Sequence, residues 1–236
     1  DNLSNYRHTL AHLLAKAVLE TYPDAKPTIG PAIDNGFYYD FDFPTPISDK
    51  DLPALEKKMR SLLKDWVKFE HKEISEKEAK DHFKNNPYKL ELIDEIIKKG
   101  EKITFYTCGG FTDLCRGGHL ENPAKEIKAD SFKLTHIAGA YWRGDEKNKM
   151  LTRIYGLAFE SKNALEEYEK MRAEAEKRDH RKLGKELDIF AFDEDVGPGL
   201  PLWLPNGGAI IEELEKLGRE TEFNAGYQRV RTPHIA

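Results

Sequence analysis

Two pairs of potential ligands, each spaced four residues apart, carry the clearest chemical signal in this sequence. His8 and His12 form an HxxxH pair, and Cys115 and His119 form a CxxxH pair much later in the chain. Side chains at positions i and i+4 lie on one face of a helix. If the two pairs face each other, three imidazoles and one thiol meet at one point, which is typical of a metal site or a hydrolytic pocket.

The residue types allow three kinds of chemistry. Histidine nitrogens and a cysteine sulfur form a tetrahedral zinc set, and four protein ligands would close that site and make the metal structural. Alternatively, Cys115 acts as a nucleophile, with Arg116 lowering its pKa and His119 serving as its base. In the third reading, Asp113, His119 and the helical histidines position and deprotonate a water molecule. The competing interpretation is that the histidines are ordinary core residues and that Asp113 is a turn residue.

Composition limits the class of protein. Hydrophobic residues make up 39% of the 236 residues, enough for a folded core, and the net charge of −5 argues against a uniformly basic nucleic-acid binder. Two cysteines, Cys108 and Cys115, favour a reducing, cytoplasmic location. No apolar run approaches the roughly 20 residues of a membrane span, so we expect no membrane partner. The chain begins at Asp1 and stops at Ala236 in mid-pattern, so we expect an excised piece of a longer protein.

The histidine pair must be held by a helix. Hydrophobic periodicity predicts this helix over residues 3–22, with Leu10, Leu13 and Leu14 on its main apolar face. The histidines project from nearly the opposite side, beside small alanines. We therefore expect a largely buried helix whose histidine side faces a cavity.

The other periodic segments predict an interleaved fold. Helices are expected at residues 49–66, 75–82, 88–99, 161–178 and 206–224, with Ser75 near the start of the second. Alternating segments predict strands at Gly36–Phe43, Val67–Ile74, Lys102–Cys108, Phe111–Leu114, Ser131–Ile137, Met150–Phe159 and Gly226–Ile235. Hairpins among these strands favour an α+β fold in which an antiparallel sheet packs against helices.

Two further segments and two single residues have alternative interpretations. The predicted loop Ala138–Lys149 contains Tyr141, Trp142 and Arg143, a mixture suited to stacking on bases and pairing with phosphate, or to an ordinary hairpin end. A basic segment favours a solvated linker or a contact for an acidic partner; it contains Lys177, Arg178, Arg181, Lys182 and Lys185. Lys89 in a helical pattern usually faces solvent, and one of the two adjacent tyrosines Tyr38 and Tyr39 should face the core.

Several motifs, in their order along the chain, resemble one family. HTLAHLLA, GPAIDNGFYYDFDF, PYKLELI, TDLCRGGH and HIAGAYWRGD are similar to the editing domain of bacterial-type threonyl-tRNA synthetases, which shares its histidine–cysteine arrangement with alanyl-type editing domains. Downstream, RDHRKLGKELDIFAF and GPGLPLWLPNGGAIIEELEKL resemble the linker and the start of a class II catalytic domain. GYQRVRTPHI resembles class II motif 1, which ends here at Pro233.

The resemblance implies a domain arrangement. We expect an editing domain at residues 1–160, a linker helix at 161–186 and the N-terminal part of a class II catalytic domain at 187–236. The editing domain is expected to be α+β, with the antiparallel sheet and packed helices of its family. The class II element is expected to be truncated after motif 1.

The resemblance also implies roles for residues. The implied catalytic residues of an aminoacyl-tRNA hydrolase are His8, His12, Lys89, Asp113 and His119. The implied substrate-binding residues are Tyr39, Cys115, Tyr141, Trp142 and Arg143. The implied contacts with tRNA are Lys177, Arg178, Arg181, Lys182 and Lys185.

The expected reaction is hydrolysis of the ester of serine wrongly attached to tRNA(Thr), by attack of water. The threonyl branch implies that editing needs no cofactor, so we expect a metal-free site; a bound metal would be held by His8, His12, Cys115 and His119. ATP and zinc belong to the family's catalytic domain, whose sites are absent from this sequence, so we expect no aminoacylation. Family members are homodimers, and we expect this fragment to be a monomer or a weak dimer. The alternatives are a non-catalytic tRNA-docking module and a zinc-stabilised structural domain.

Overall fold

A computed structural model describes residues 2–232. The chain divides into two compact units, Asp1–Tyr168 and Glu169–Ala236. Within the described part, no helix combines the length and apolar character needed to cross a membrane. The predicted functional division into residues 1–160, 161–186 and 187–236 stays a prediction.

The first unit contains five helices and eight strands among its described residues. The helices are α1 Asn2–Thr21, α2 Leu52–Leu62, α3 Glu76–His82, α4 Pro87–Lys98 and α5 Pro123–Glu126. The strands are β1 Lys26–Pro27, β2 Ala32–Ile33, β3 Gly36–Asp42, β4 Glu70–Glu73, β5 Thr104–Cys108, β6 Phe111–Leu114, β7 Phe132–Tyr141 and β8 Met150–Ala158. Short 3₁₀ turns occupy Asp49–Asp51, Leu63–Asp65 and Trp142–Gly144.

These strands form two antiparallel sheets. The larger has the order β1-β3-β8-β7, and β2 also pairs with β3. The smaller has the order β4-β5-β6. The predicted α+β class with antiparallel sheets and packed helices is therefore confirmed.

Helix α1 is the centre of the main core. Its apolar side chains are fully buried, as predicted for Leu10, Leu13 and Leu14, and they pack with α2 and with Phe37 and Phe41 of β3. Small Ala11 and Ala15 are also fully buried beside the histidines. A helix that is apolar on most sides is stable only inside a core, so both histidines are carried into the interior.

Helix α4 begins at a well-defined cap. The Asn86 side chain accepts a hydrogen bond from the backbone N–H of Lys89, and Pro87 occupies the first helical position. The other end of the Asn86 amide donates to the carbonyl oxygen of Pro27 at 2.7 Å. The cap therefore fixes the start of α4 and attaches it to β1, at the edge of the larger sheet.

The second unit contains α7 His180–Glu186, the short hairpin of β9 Phe190–Ala191 with β10 Leu202–Trp203, and α8 Pro205–Asn224. Helix α6 Lys162–Lys177 begins in the first unit. The single helix predicted over residues 161–178 is present as α6, and α7 follows separately because the Asp179 side chain caps a new helix.

Three predictions of strands need correction. The strand predicted at Val67–Ile74 is only β4, whose side chains are all exposed. Strand β7 continues to Tyr141, so the predicted loop Ala138–Lys149 is much shorter. The strand predicted at Gly226–Ile235 does not form over residues 226–232, and its end with Pro233 lies outside the described residues.

Two positions of β8 that differ in burial predict unequal effects of truncation. Ile154 is fully buried whereas Met150 is 55% exposed. We expect Ile154→Ala to lower the free energy of unfolding by about 2–5 kcal/mol, because it removes packed methyl groups and leaves a cavity. Met150→Ala should cost less than about 0.5 kcal/mol, as for most surface substitutions. Urea denaturation followed by tryptophan fluorescence checks both, and equal costs would contradict this difference in burial.

Candidate active site

The two predicted ligand pairs converge. His8 and His12 project from α1, while Cys115 directly follows β6 and His119 lies in the loop after it. One ligand atom from each of the four residues lies within 4.8 Å of the others. Only the first pair sits on a helix; the second pair is brought together by the glycine-containing turn Arg116–Gly118.

Aromatic stacking holds the imidazole of His119 in place. The His8 ring is stacked on it with a centroid separation of 4.7 Å, and the Phe69 ring is stacked at 3.9 Å. Tyr106 also contacts His119, with centroids 4.9 Å apart. Sequence reasoning missed Phe69 and Tyr106, because nothing in their local pattern shows which ring they will pack against.

The sulfur of Cys115 lies between two imidazoles. Its Sγ atom is 3.1 Å from Nε2 of His8 and 3.4 Å from Nε2 of His119. The backbone N–H of Gly117 also donates to the sulfur at 3.3 Å. Gly117 has φ of +97°, and a Cβ there would collide with the Tyr106 hydroxyl, so this turn requires glycine.

Burial raises the pKa of the Cys115 thiol to about 11, against the lowering effect of the Gly117 backbone hydrogen bond. A thiol with such a pKa is protonated at neutral pH, whereas the thiolate is the nucleophile. The geometry therefore does not favour the reading in which Cys115 attacks a substrate.

Burial lowers the pKa of all three histidines. The pKa of His119 falls to about 2, mainly through burial and then through the proximity of His12 and His8. That of His12 falls well below its usual range by burial, helped by His8 and Lys89. Burial also lowers the pKa of His8, opposed by a hydrogen bond with the backbone of Gly30 and by Asp113. The imidazoles are neutral at pH 7, the form required of both a general base and a metal ligand.

A buried ion pair lies next to the histidines. The ammonium of Lys89 is 2.5 Å from Oδ1 of Asp113, and the Tyr39 hydroxyl donates to Oδ2 of the same carboxylate at 2.6 Å. The Lys89 and Tyr39 side chains are 3.4 Å apart, and all three residues are at most 3% exposed. Lys89 thus does not face solvent as most helical lysines do, and Asp113 lies within β6 and not in a turn. His12 Nδ1 is 3.7 Å from Oδ2 of Asp113.

A cavity of about 410 Å³ opens onto both groups. Its lining includes His8, His12, Lys89, Asp113 and Cys115. The other lining residues are Thr28, Ile29, Gly30, Pro31, Leu92, Glu95, Ile96, Lys99, Glu101, Lys102, Thr104, Leu114, Arg116 and Gly117. This volume is in the usual range for a pocket that binds a small molecule.

The segment Ile29–Pro31 forms one wall of this cavity. At Gly30, a Cβ would lie 2.0 Å from the Tyr39 ring, so only glycine allows the wall to approach that closely. Glycine and proline in this segment are typical of a turn, but no local pattern indicates that the turn lines the site.

The aromatic and basic residues predicted to bind substrate in the β7–β8 hairpin lie elsewhere. The described residues that line the cavity do not include Tyr141, Trp142 or Arg143. Trp142 is buried and its indole N–H donates to Glu91 at 2.8 Å, and Arg143 pairs with Glu91 and Glu95. Trp142 is therefore unavailable to stack on a base.

The basic segment Lys177–Lys185 lies at the surface. Intramolecular pairs use part of its charge, since Lys177 contacts Glu174 at 2.7 Å and Arg181 contacts Asp179 at 2.8 Å. Lys182 approaches Glu186 at 3.9 Å. The assignment of Lys177, Arg178, Arg181, Lys182 and Lys185 as tRNA contacts stays a prediction.

The converging donor set fits a zinc ion. Three imidazole nitrogens and one sulfur are the ligands of a tetrahedral zinc site, and the neutral imidazoles need not lose a proton to bind. The Nδ1 atoms of His12 and His119 are buried without a hydrogen-bond partner among residues 2–232. The predicted metal-free state of the site stays a prediction.

Comparison with known proteins supports the family resemblance. The sequence profile described as the threonyl and alanyl tRNA synthetase second additional domain matches residues 103–155. A threonine–tRNA ligase from Dehalococcoides mccartyi is 50% identical over 235 residues, covering 100% of this chain and 40% of that protein. Those of Staphylococcus carnosus and Thermotoga maritima are 52% and 48% identical, each covering 98% of this chain and 35% and 36% of the ligase. The chain thus spans at most two fifths of these relatives.

Breaking the buried ion pair should cost more than removing it entirely. We expect Asp113→Leu to lower the free energy of unfolding by about 3–5 kcal/mol, because Lys89 is left as an uncompensated buried charge. Combining it with Lys89→Met should restore part of that loss. Urea denaturation of the two single variants and the double variant checks this, and additive losses would contradict a coupled pair.

The lowered histidine pKa values predict the direction of a pH effect. Below about pH 6.5 the histidines of the unfolded chain bind protons, whereas the folded histidines do not. The free energy of unfolding should therefore fall as pH falls. Above that pH the contribution is fully present. His119→Gln should flatten the dependence between pH 6.5 and 5 by up to about 1.4 kcal/mol per pH unit.

Denaturation of the two proteins at several pH values measures this difference. His136→Gln is the matched control, because the His136 ring is exposed on β7. Parallel curves for the wild-type chain and His119→Gln would refute the argument.

Proposed function

We propose that this chain, which is homologous along its whole length to a segment of threonine–tRNA ligases, hydrolyses the ester of serine wrongly attached to tRNA(Thr). The observation that carries the proposal is the cavity onto which both neutral histidines and the buried Lys89–Asp113 pair open. Such a pocket combines proton acceptors with a held positive charge, which are the two requirements of ester hydrolysis by water.

The need for such a reaction follows from the size of the substrates. Serine lacks one methyl group of threonine, and a binding pocket discriminates one methyl or methylene by only about 1–3 kcal/mol. A second site that admits serine and excludes the extra methyl removes the residual errors. Here the Gly30 backbone lines one side of the cavity and packs closely on the buried Tyr39 ring, and we assign to this side the exclusion of the methyl.

His8 is the proposed general base. It lines the cavity, is neutral, and is less buried than His12. In the proposed step, a water oxygen attacks the ester carbonyl carbon while His8 takes the water proton. The tetrahedral intermediate then collapses, the bond to the ribose oxygen breaks, and the imidazolium returns the proton to that oxygen. The products are serine and tRNA with a free terminal hydroxyl.

Lys89 is the proposed stabiliser of the oxyanion. Its ammonium is fixed by Asp113 and Tyr39 before the substrate arrives, so no reorganisation is needed when negative charge develops. The pKa of Tyr39 is raised well above its usual range by burial and by Asp113, which keeps its hydroxyl protonated as a donor. His12 and His119, with Cys115, are assigned to orienting His8 and the water.

The second candidate is a zinc-stabilised structural domain, favoured by the four donors within 4.8 Å and by the two unpartnered buried nitrogens. His8, His12, Cys115 and His119 would hold the ion, which would then supply folding free energy. With four protein ligands the site would be closed to substrate. This candidate predicts that a chelator lowers the melting temperature of the purified protein.

The partners follow from the same proposal. The substrate is tRNA(Thr) with its 3′-terminal aminoacyl adenosine, since the relatives are named threonine–tRNA ligases. Ligation of threonine to this tRNA with ATP by the parent enzyme stays a prediction. The dimeric state of that protein and the cytoplasmic location stay predictions. A non-catalytic tRNA-docking module is the remaining alternative, and it would bind tRNA in a salt-sensitive manner without deacylating it.

Deacylation assays test the proposal. We expect the chain to release serine from Ser-tRNA(Thr) much faster than threonine from Thr-tRNA(Thr). His8→Ala should slow serine release by roughly 10²-fold or more, the usual contribution of a general base. Lys89→Ala should have an effect of similar size, since removing one oxyanion-stabilising group costs about 10²–10³-fold.

The matched controls are His136→Ala and Lys147→Ala, both at exposed positions outside the cavity. Circular dichroism verifies that each variant is folded, and filter binding verifies that it retains tRNA. Unchanged release in His8→Ala and Lys89→Ala would overturn the assigned roles. Salt-sensitive binding with no deacylation at any protein concentration would favour docking, and loss of folding with chelator would favour zinc.

A further inference from the structure

The tip of the β7–β8 hairpin, residues Trp142–Gly144, contacts helix α4 and does not itself line the cavity. The Trp142 indole donates to Oε2 of Glu91 at 2.8 Å, and Nε of Arg143 lies 3.2 Å from Oε1 of the same carboxylate. The Arg143 guanidinium also pairs with Glu95. The hairpin tip therefore binds α4 at two successive turns.

A ring contact adds to these polar ones. The Trp142 ring packs edge-on against Tyr88, with centroids 5.2 Å apart, and both residues are buried with Leu151. The Tyr88 hydroxyl in turn donates to Asp42 at the end of β3, at 2.9 Å. The first turn of α4 is thus connected both to the hairpin tip and to the larger sheet.

The side of α4 that contacts the hairpin tip lies beside the side that lines the cavity. Tyr88, Glu91 and Glu95 follow the i, i+3, i+7 spacing of one helical stripe. The neighbouring stripe consists of Lys89, Leu92, Ile96 and Lys99, and it lines the cavity together with Glu95. Any rotation or displacement of α4 that breaks the first stripe moves the second, and with it the ammonium of Lys89.

The backbone of the hairpin tip adopts an uncommon conformation that its contacts with α4 stabilise. Arg143 has φ of +61° and Gly144 has φ of +71°. Residues other than glycine rarely adopt this left-handed conformation, and they keep it where surrounding contacts compensate. At this turn the compensation comes from the Glu91 and Glu95 carboxylates and from the Asn148 amide, which donates to the carbonyl of Trp142 at 3.0 Å.

We propose that Trp142 and Arg143 are positioning residues, which act through α4 to hold Lys89 against Asp113 and Tyr39. The catalytic consequence rests on the proposed hydrolysis, whereas the mechanical consequence does not. This role replaces the direct contact with substrate expected from the sequence. Release of the hairpin tip leaves Lys89 in place for only part of the time, so turnover falls while binding of the tRNA is retained.

Chemical labelling of lysines tests the mechanical part without any assay of activity. Lys89 is 2% exposed and its ammonium is paired with Asp113, so an acylating reagent, which needs the free amine, reacts with it only when that pair opens. We expect Arg143→Ala and Trp142→Phe to raise the labelling rate of Lys89 about fivefold to tenfold, as expected for the loss of one or two hydrogen bonds. Mass spectrometry of the whole 236-residue chain measures each lysine, with exposed Lys147 as the internal reference.

Three variants separate positioning from general damage. Trp142→Phe keeps a buried aromatic ring, although a smaller one, and removes the N–H donor. Arg143→Lys keeps the charge and should restore most of the protection, and Glu146→Ala is the control in the same exposed loop. Unchanged labelling of Lys89 in both Arg143→Ala and Trp142→Phe would overturn the proposal. A fall in the free energy of unfolding large enough to account for the faster labelling would also overturn it, since that indicates global unfolding.

Kinetics then test the catalytic part. We expect Arg143→Ala to lower kcat for serine release by roughly tenfold with KM nearly unchanged, because misplacement of a catalytic group reduces turnover. A raised KM with unchanged kcat would instead indicate direct substrate contact and would overturn the positioning role. If the wild-type chain hydrolyses nothing while Arg143→Ala still exposes Lys89, the proposed function fails and the mechanical inference survives.

Discussion

The buried pair of Lys89 and Asp113 is the interaction on which the arrangement of the first unit depends. Moving an ammonium and a carboxylate out of water costs several kcal/mol per ion, and their mutual attraction repays this only in good geometry with further hydrogen bonds. Tyr39 provides such a bond to Asp113. Since the three residues come from α4, β6 and β3, these elements must meet in one register for the charges to be tolerated.

The same burial controls the histidines. Imidazoles at the surface titrate near neutrality, but enclosed by α1, Phe69 and Tyr106 they are held neutral. A neutral imidazole can accept a proton or a metal, so burial makes both chemistries accessible. What favours hydrolysis is the position of the cluster, which opens onto a cavity beside a fixed positive charge. A structural metal site has no need of either neighbour.

The β7–β8 hairpin shows how one set of residues can support two different predictions. Tyrosine, tryptophan and arginine between glycines are suited to stacking on nucleic-acid bases or to an ordinary hairpin end, and the sequence does not decide between the two. In the folded chain, Glu91 accepts a hydrogen bond from Trp142, and Glu91 and Glu95 form ion pairs with Arg143. The carboxylates lie some fifty positions earlier in the chain, a separation that no local pattern can bridge.

Periodicity and residue type were sufficient for the local features. The apolar repeat in residues 3–22 determined both α1 and its burial, Ser75 marked the start of α3, and HxxxH placed two imidazoles on one helical face. Motif order was sufficient for the family. Tertiary structure alone decided that Cys115 and His119 meet the first pair, that Lys89 is buried, and that Trp142 and Arg143 grip α4. Each of these is a contact between distant segments. It is determined by how whole elements pack and by which charges find partners, and the spacing of neighbouring residues encodes neither the packing nor the choice of partner.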